Sequence, residues 1–287
     1  MLEELRSFVL FAQEGSVQKV AQRLPLTQPA VSRQIQRLEQ AIGAPLLDRR
    51  QKPPALTPLG HEVLARSRAI LDAIGDLKAI ATTPEPEGVF RFGLVNGLAH
   101  DALAESFATI VRQFPRVSLR LQSGWSGELA EQHRLGTLDA AVILSDGSRF
   151  HDAEKIGEDH LVVIGASTSS VQSEQNKAQG FILSPEPCDA RRSLATRLAG
   201  QDQPLVPAAE VEHAGLQLAL VRQGIGLGLM PRRLLEAAKP QGIKEIDGFG
   251  GDLRLDVLLL RSPHLGAMAK VATAIADQIR MFIGQPT

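Results

Sequence analysis

Gln28, Ser32, Arg33, Gln36 and Arg37 recur at helical spacing in this 287-residue chain, and their types suit recognition of a nucleic acid. Arginine offers paired N–H donors that match a guanine edge or grip a phosphate, and glutamine matches the donor and acceptor of adenine, so such a face suits the major groove. The same residues would also serve as the solvated side of an ordinary amphipathic helix. Their setting decides between the two. Ser16 is placed to cap a first helix striped by Val17, Val20, Ala21 and Leu24. Pro25 disfavours the α conformation at Leu24 and ends it. Thr27 then caps a second helix, and Pro29 falls in its first turn, where a missing N–H does no harm. Val31, Ile35, Leu38 and Ile42 share the opposite side and are expected to pack inward. Residues 16–43 therefore read as two short helices with a tight break between them.

The run TQPAVSRQIQRLEQAIGAPLLDR resembles the helix-turn-helix signature of LysR-type transcriptional regulators. Val20, where that family usually has Ala, and Leu47, where it usually has Phe, are mild apolar departures. The likeness is strongest over residues 1–60 and extends to chain length and order of elements. It implies an α/β multidomain protein: an N-terminal winged helix-turn-helix, a long linker helix, and a C-terminal two-lobed α/β effector domain of the kind seen in periplasmic binding proteins. It also implies DNA contact by Thr27, Gln28, Pro29, Ser32, Arg33, Gln36 and Arg37. Arg49, Arg50 and Lys52 lie at or near the tip of the wing, whose returning strand is read at Leu56 and Thr57. There they would meet phosphate or the minor groove, or else form a solvated basic loop. Pro53 and Pro54 replace the family's usual glycine-basic pattern.

Charge supports this division. Residues 1–60 hold eight basic and five acidic side chains, a net of +3, so the remainder carries −4 of the total of −1. A modestly basic head on an acidic body fits DNA contact confined to one end. A hydrophobic content of 44% supports packed cores. Leu2, Leu5, Phe8, Val9 and Ala12 stripe an opening helix that packs under the motif, with Gly15 ending it. Residues 58–82 read as one helix in which Val63, Ser67, Ile70, Ile74, Leu77 and Ala81 alternate spacings of four and three, the pattern of a coiled-coil seam. Such a seam predicts a homodimer, with a tetramer as a further step; packing on its own domain is the alternative.

The expected domains are 1–57 for the winged helix-turn-helix, 58–82 for the linker helix, 83–88 for a hinge and 89–287 for the effector domain. Within the last, VFRFGLV, VSLRLQS and LDAAVIL alternate with helices as a βαβαβ run, which implies parallel pairing. The first lobe is expected to take 89–160 and 265–287, and the second 161–264, slimmed by a short polar link at 167–180. In open α/β sheets ligands collect beyond the strand ends, where helix N-termini present unpaired N–H groups. By resemblance, the effector positions are Asn96, Gly97, Leu98, Ser123, Gly124, Trp125, Ser126, Ser184 to Cys188 and the turn at His213. Asn96 and Ser126 would donate to an anion and Trp125 would form an apolar wall, while Glu186 and His213 would select other chemistry. Each is also an ordinary cap or core residue.

Enzyme signatures fail on spacing. GIGLG at 224–228 follows a helix and lacks GxGxxG, GWSG around Ser126 is not GxSxG, and the seven histidines show no HExxH. His151, His160 and His264 are expected at the surface. Cys188 is the single cysteine, which excludes an internal disulfide and leaves a redox-sensing role without a resolving partner. No stretch reads as a membrane span or signal sequence. The expectation is a cytoplasmic, non-enzymatic regulator with no cofactor and no membrane partner. It binds double-stranded promoter DNA, a second copy of itself and a small-molecule effector, or else acts constitutively without one, and as an activator it would also meet RNA polymerase.

Overall fold

A computed structural model describes residues 1–79, 85–99, 101–147, 149–150, 153–167, 180–249, 253–263 and 265–284. Three helices, α1 (Leu2–Glu14), α2 (Val17–Arg23) and α3 (Gln28–Ile42), pack around Leu5, Phe8, Phe11, Val20, Val31, Ile35 and Leu38. Gly15 and Gly43 adopt positive φ and close α1 and α3 through their N–H groups. The Thr27 hydroxyl accepts the Ala30 N–H at 3.3 Å, the expected cap. Ser16 holds the capping position of α2 but makes no side-chain cap bond. Ile42 is 44% exposed, because the last turn of α3 runs past the small core. A wing follows, with β1 (Leu47–Asp48) antiparallel to β2 (Ala55–Leu56).

The linker helix α4 (Pro58–Ala79) closes this head through Leu64 and Leu71. Gly60 admits the approach: a Cβ there would lie 2.2 Å from the Leu46 carbonyl oxygen. The expected seam is divided. Ser67 is buried and Val63 and Ile74 are half-buried, while Ile70 is 47% and Leu77 67% exposed. Ala81 and positions 83–84 of the hinge lie outside the described residues.

Beyond Gly88 the chain builds a seven-stranded sheet. β3 (Gly88–Val95), α5 (Ala104–Gln113), β4 (Val117–Gly124), α6 (Ser126–Arg134) and β5 (Ala140–Ser145) form the expected βαβαβ run, with β3 parallel to both β4 and β5. β6 (Glu154–Ala166) is one continuous strand, so the lobe change expected at 160–161 falls inside it. Its first part pairs with β11 (Leu253–Arg261), and its second with β9 (Gly228–Pro231) and β10 (Ile243–Glu245). β11 also pairs with β5. The return to the first lobe therefore begins at Leu253, earlier than residue 265, because strand order is set by non-local pairing.

The second lobe adds β7 (Phe181–Leu183) parallel to β8 (Pro207–Glu210), with α7 (Asp189–Ala199), α8 (Ala214–Arg222) and α9 (Arg232–Ala238). Its own core gathers Val162, Ile164, Ile182, Val221, Met230 and Ile243. The final helix α10 (Ala269–Gly284) buries Val271, Ala272, Ile275 and Ile279 in the larger core, which joins β3, β4 and β5 to Phe181, Leu183, Leu194 and Leu198 of the second lobe. The polar link at 168–179, together with His151 and His264, lies outside the described residues.

Candidate functional site

The polar face of α3 is open. Gln28, Pro29, Arg33, Gln36 and Arg37 are exposed, as is Thr27 before them, and Ser32 is half-buried. The Arg33 Nε donates to the Pro29 carbonyl at 3.3 Å, which lays the side chain back along its own helix. Arg49, Arg50 and Lys52 are exposed on the wing, so helix and wing present basic groups on one small head. Two of the three are held by acids that were legible only as charges in the sequence. Glu39 receives the N–H groups of Leu46 and Leu47 at 3.0 and 3.3 Å and the Arg49 guanidinium at 2.7 Å. Asp48 receives Arg50 at 2.9 Å, and that pairing holds its carboxyl down at about 2. Glu39 thereby ties the end of α3 to the base of the wing.

The expected effector positions fall into two groups. Asn96 is half-buried beyond β3, its N–H bonded to the Gly124 carbonyl at 3.0 Å, and Gly97 is exposed beside it. Trp125 is half-buried at the cap of α6, and Ser123 is exposed near the end of the edge strand β4. Across the junction, Ser184 accepts the Gln217 side-chain N–H at 2.9 Å, which joins the loop after β7 to α8. Cys188 is the half-buried cap of α7, and burial pushes its thiol up. His213 is exposed and caps α8 by accepting the Leu216 N–H at its Nδ1.

Two expectations are corrected. Leu98 is fully buried in the core, because the turn after β3 folds it under the sheet. Ser126 is also fully buried; its Oγ accepts the Leu144 N–H at 3.0 Å rather than facing open solvent. Burial raises the Asp189 carboxyl, while the Ser126 hydroxyl and the Arg192 and Arg149 guanidiniums pull it back down. A separate open crevice of about 680 Å³ runs along the flank of α7 between Asp146, Arg197 and Arg254, and none of the expected effector positions lines it.

The far end of α6 meets the linker helix. Gly136, at φ 65°, lies so close to α4 that a Cβ would stand 3.0 Å from the Ala65 Cα and 3.5 Å from the Arg68 Cδ. Asp139 sits beside this contact. Burial raises its carboxyl, against the Arg91 N–H at 2.6 Å and the positive charges of Arg91 and Arg68. The turn Gly266–Met268 packs on α4 as well. At about 1.5 Å per residue, the nine residues of α6 span roughly 13 Å between the lobe junction and the linker.

Residues 2–61 match the bacterial regulatory helix-turn-helix of the lysR family, and residues 83–277 match the LysR substrate binding domain. The chain belongs to the LysR family of bacterial transcriptional regulators. Members of the LysR family are regulators rather than enzymes. The chain is 27% identical over 249 residues to the HTH-type transcriptional regulator YusT of Bacillus subtilis, covering 83% of this chain and 81% of that one. In fold it is similar to a full-length OxyR variant from Pseudomonas aeruginosa, at a TM-score of 0.79 and 20% identity over 98% of this chain and 95% of that one. It is also similar to LysG from Corynebacterium glutamicum with its bound effector Arg, at a TM-score of 0.68 and 18% identity over 97% of each chain. Among the described residues of this LysR-family chain, no helix is long and apolar enough to cross a membrane, and no group of three or more His, Cys, Asp or Glu is placed to hold a metal ion.

Proposed function

We propose that this regulator binds inverted-repeat promoter DNA as a homo-oligomer and responds to a small-molecule effector in the cleft between its lobes. The observation that carries the reading is the placement of α6. It begins at Ser126, beside the expected effector position Trp125, and the turn after its C-terminus rests on the helix that carries the DNA-binding head. A ligand that closes one lobe on the other tilts α6, and the Gly136–Ala65 contact passes that tilt to α4. For such a switch to work, the ligand must bind one arrangement of the heads better than the other. A coupling of ~1 to 3 kcal/mol, about 5-fold to 150-fold in DNA affinity, is typical.

DNA contact is assigned to Thr27, Gln28, Pro29, Ser32, Arg33, Gln36 and Arg37, with Arg49, Arg50 and Lys52 on the flanking backbone. Effector contact is assigned to Asn96, Gly97, Trp125, Ser184, Cys188 and His213, with Ser123 at the rim. A second copy covers Val63, Ile70, Ile74 and Leu77, and pairs of dimers form the next level of assembly. An activator of this kind also meets RNA polymerase, and such a protein works in the cytoplasm beside the chromosome. A redox role for Cys188 is disfavoured because burial holds its thiol protonated, whereas the thiolate is the reactive form.

A thermal-shift screen of metabolites on the full chain tests the reading. The effector, at ~100 times its dissociation constant, is expected to stabilise the protein by about 2.7 kcal/mol and to be recovered chemically unchanged. A screen in which no compound moves the transition marks a constitutive DNA-binding protein, and turnover of the compound marks an enzyme.

A further inference from the structure

The three basic residues of the wing do not present their charge to solvent alike. Lys52 has no ion-pair partner among the described residues, and Arg49 gives Glu39 only its Nη2. Arg50 is held more completely. Its Nε and Nη2 donate to the two oxygens of Asp48 at 2.9 and 3.1 Å, and its backbone N–H donates to the same carboxylate at 3.1 Å. Two parallel N–H bonds to paired oxygens are also how a guanidinium grips a phosphate. Asp48 therefore stands where a phosphate would. It is half-buried in β1 while Arg50 is 91% exposed, so the fold fixes the carboxylate and the guanidinium is the member that can move. An exposed pair of this kind is weak, which leaves Arg50 able to exchange partners. The bonds from Arg50 hold the Asp48 carboxyl down at about 2, so the acid stays charged throughout the neutral range.

We propose that Asp48 is a built-in stand-in for a DNA phosphate, which masks Arg50 and weakens the hold of the wing on the backbone. Arg50 reaches a phosphate only by leaving Asp48, and the carboxylate left behind then faces the polyanion. The inference deepens the DNA-contact reading above and rests on it. It ranks the three assigned groups: Lys52 grips outright, Arg49 grips with the donors that Glu39 leaves it, and Arg50 grips against the competition of Asp48. Phosphate contacts carry no base information, so this brake acts on the sequence-independent part of binding. It helps the protein leave DNA that lacks its operator.

Fluorescence anisotropy of a scrambled duplex, titrated with the full chain between about 50 and 200 mM NaCl, gives the slope of log affinity against log salt. Asp48→Asn keeps an oxygen for the Arg50 N–H; it should steepen that slope by about 0.9, the value of one phosphate contact, and tighten binding roughly 5-fold near the upper salt. Lys52→Ala should flatten the slope by a similar amount. Arg50→Ala should flatten it by about 0.9 in the Asp48→Asn background and by less than half of that with Asp48 in place. Where Asp48→Asn melts early, Asp48→Ser carries the same comparison. An unchanged slope in Asp48→Asn, or an Arg50→Ala loss that is equal in both backgrounds, overturns the proposal. Failure of the underlying reading looks different: neither Lys52→Ala nor Arg33→Ala would then alter DNA binding. A flattened slope in Lys52→Ala beside an unmoved Asp48→Asn removes the mask alone.

Discussion

Replacing Arg33 with alanine is expected to weaken binding to the specific operator by about 5-fold to 150-fold, the ~1 to 3 kcal/mol carried by a paired contact to a base edge. The expectation rests on position: Arg33 is exposed on the outer face of α3, between the exposed Gln28 and Pro29 of the first turn and Gln36 and Arg37 of the next. Val31, Ile35 and Leu38 are buried on the other side, so the substitution leaves the head's packing untouched. The loss should fall on the specific sequence and spare non-specific DNA. A phosphate contact such as that assigned to Lys52 would weaken both alike and lower the salt dependence. Gel-shift titration at fixed salt on operator and scrambled duplexes measures the difference. Unchanged operator affinity would remove Arg33 from the reading face.

A larger effect is expected from Ile70→Asp combined with Ile74→Asp, which should convert the protein to monomers by light scattering. Ile70 is 47% exposed and Ile74 half-buried on a helix that is otherwise closed by its own head and effector domain. Full burial of an apolar side chain of this size is worth roughly 1.5 to 3 kcal/mol, and a seam between two copies holds each position twice. Carboxylates at both sites remove that gain and add unpaired charge to an apolar contact. Because inverted half-sites need two recognition helices, operator affinity should collapse with the dimer. A variant that stays dimeric would place the subunit contact elsewhere than α4.

What the sequence made legible was mostly local. The helix-turn-helix followed from caps, prolines and apolar periods within a single short stretch, and the βαβαβ run from alternating periods. The Ser16 cap and the inward Ile42 failed for local reasons, a hydroxyl without a bond and a helix end beyond the core. Non-local pairing was out of reach. Nothing in the residues of β11 says that it lies between β5 and β6, or that β6 runs through both lobes. The same limit affected the site. Leu98 and Ser126 lie beyond strand ends, where ligands collect, but which of them turns under the sheet depends on packing that spacing does not encode. Glu39 and Asp189 were missed because a carboxylate in a sequence reads as solvated charge until its donors are in place. The one signal available for Asp189 was its type, an acid in the first turn of a helix. Gly136 left a fainter trace, a lone glycine between α6 and β5.

In the proposed switch, occupancy of the cleft is passed through α6 and Ala65 to the spacing of the two DNA-binding heads. Nuclease protection of the operator by the full chain, with and without a compound that raises the protein's melting temperature, reads that spacing. Two protected half-sites are expected, and their separation or extent should change when the compound saturates. In Ala65→Leu, which wedges a side chain against Gly136, the compound should still bind but no longer change the pattern. A wild-type pattern that is identical with and without a bound, stabilising compound would mean that the cleft does not control the heads.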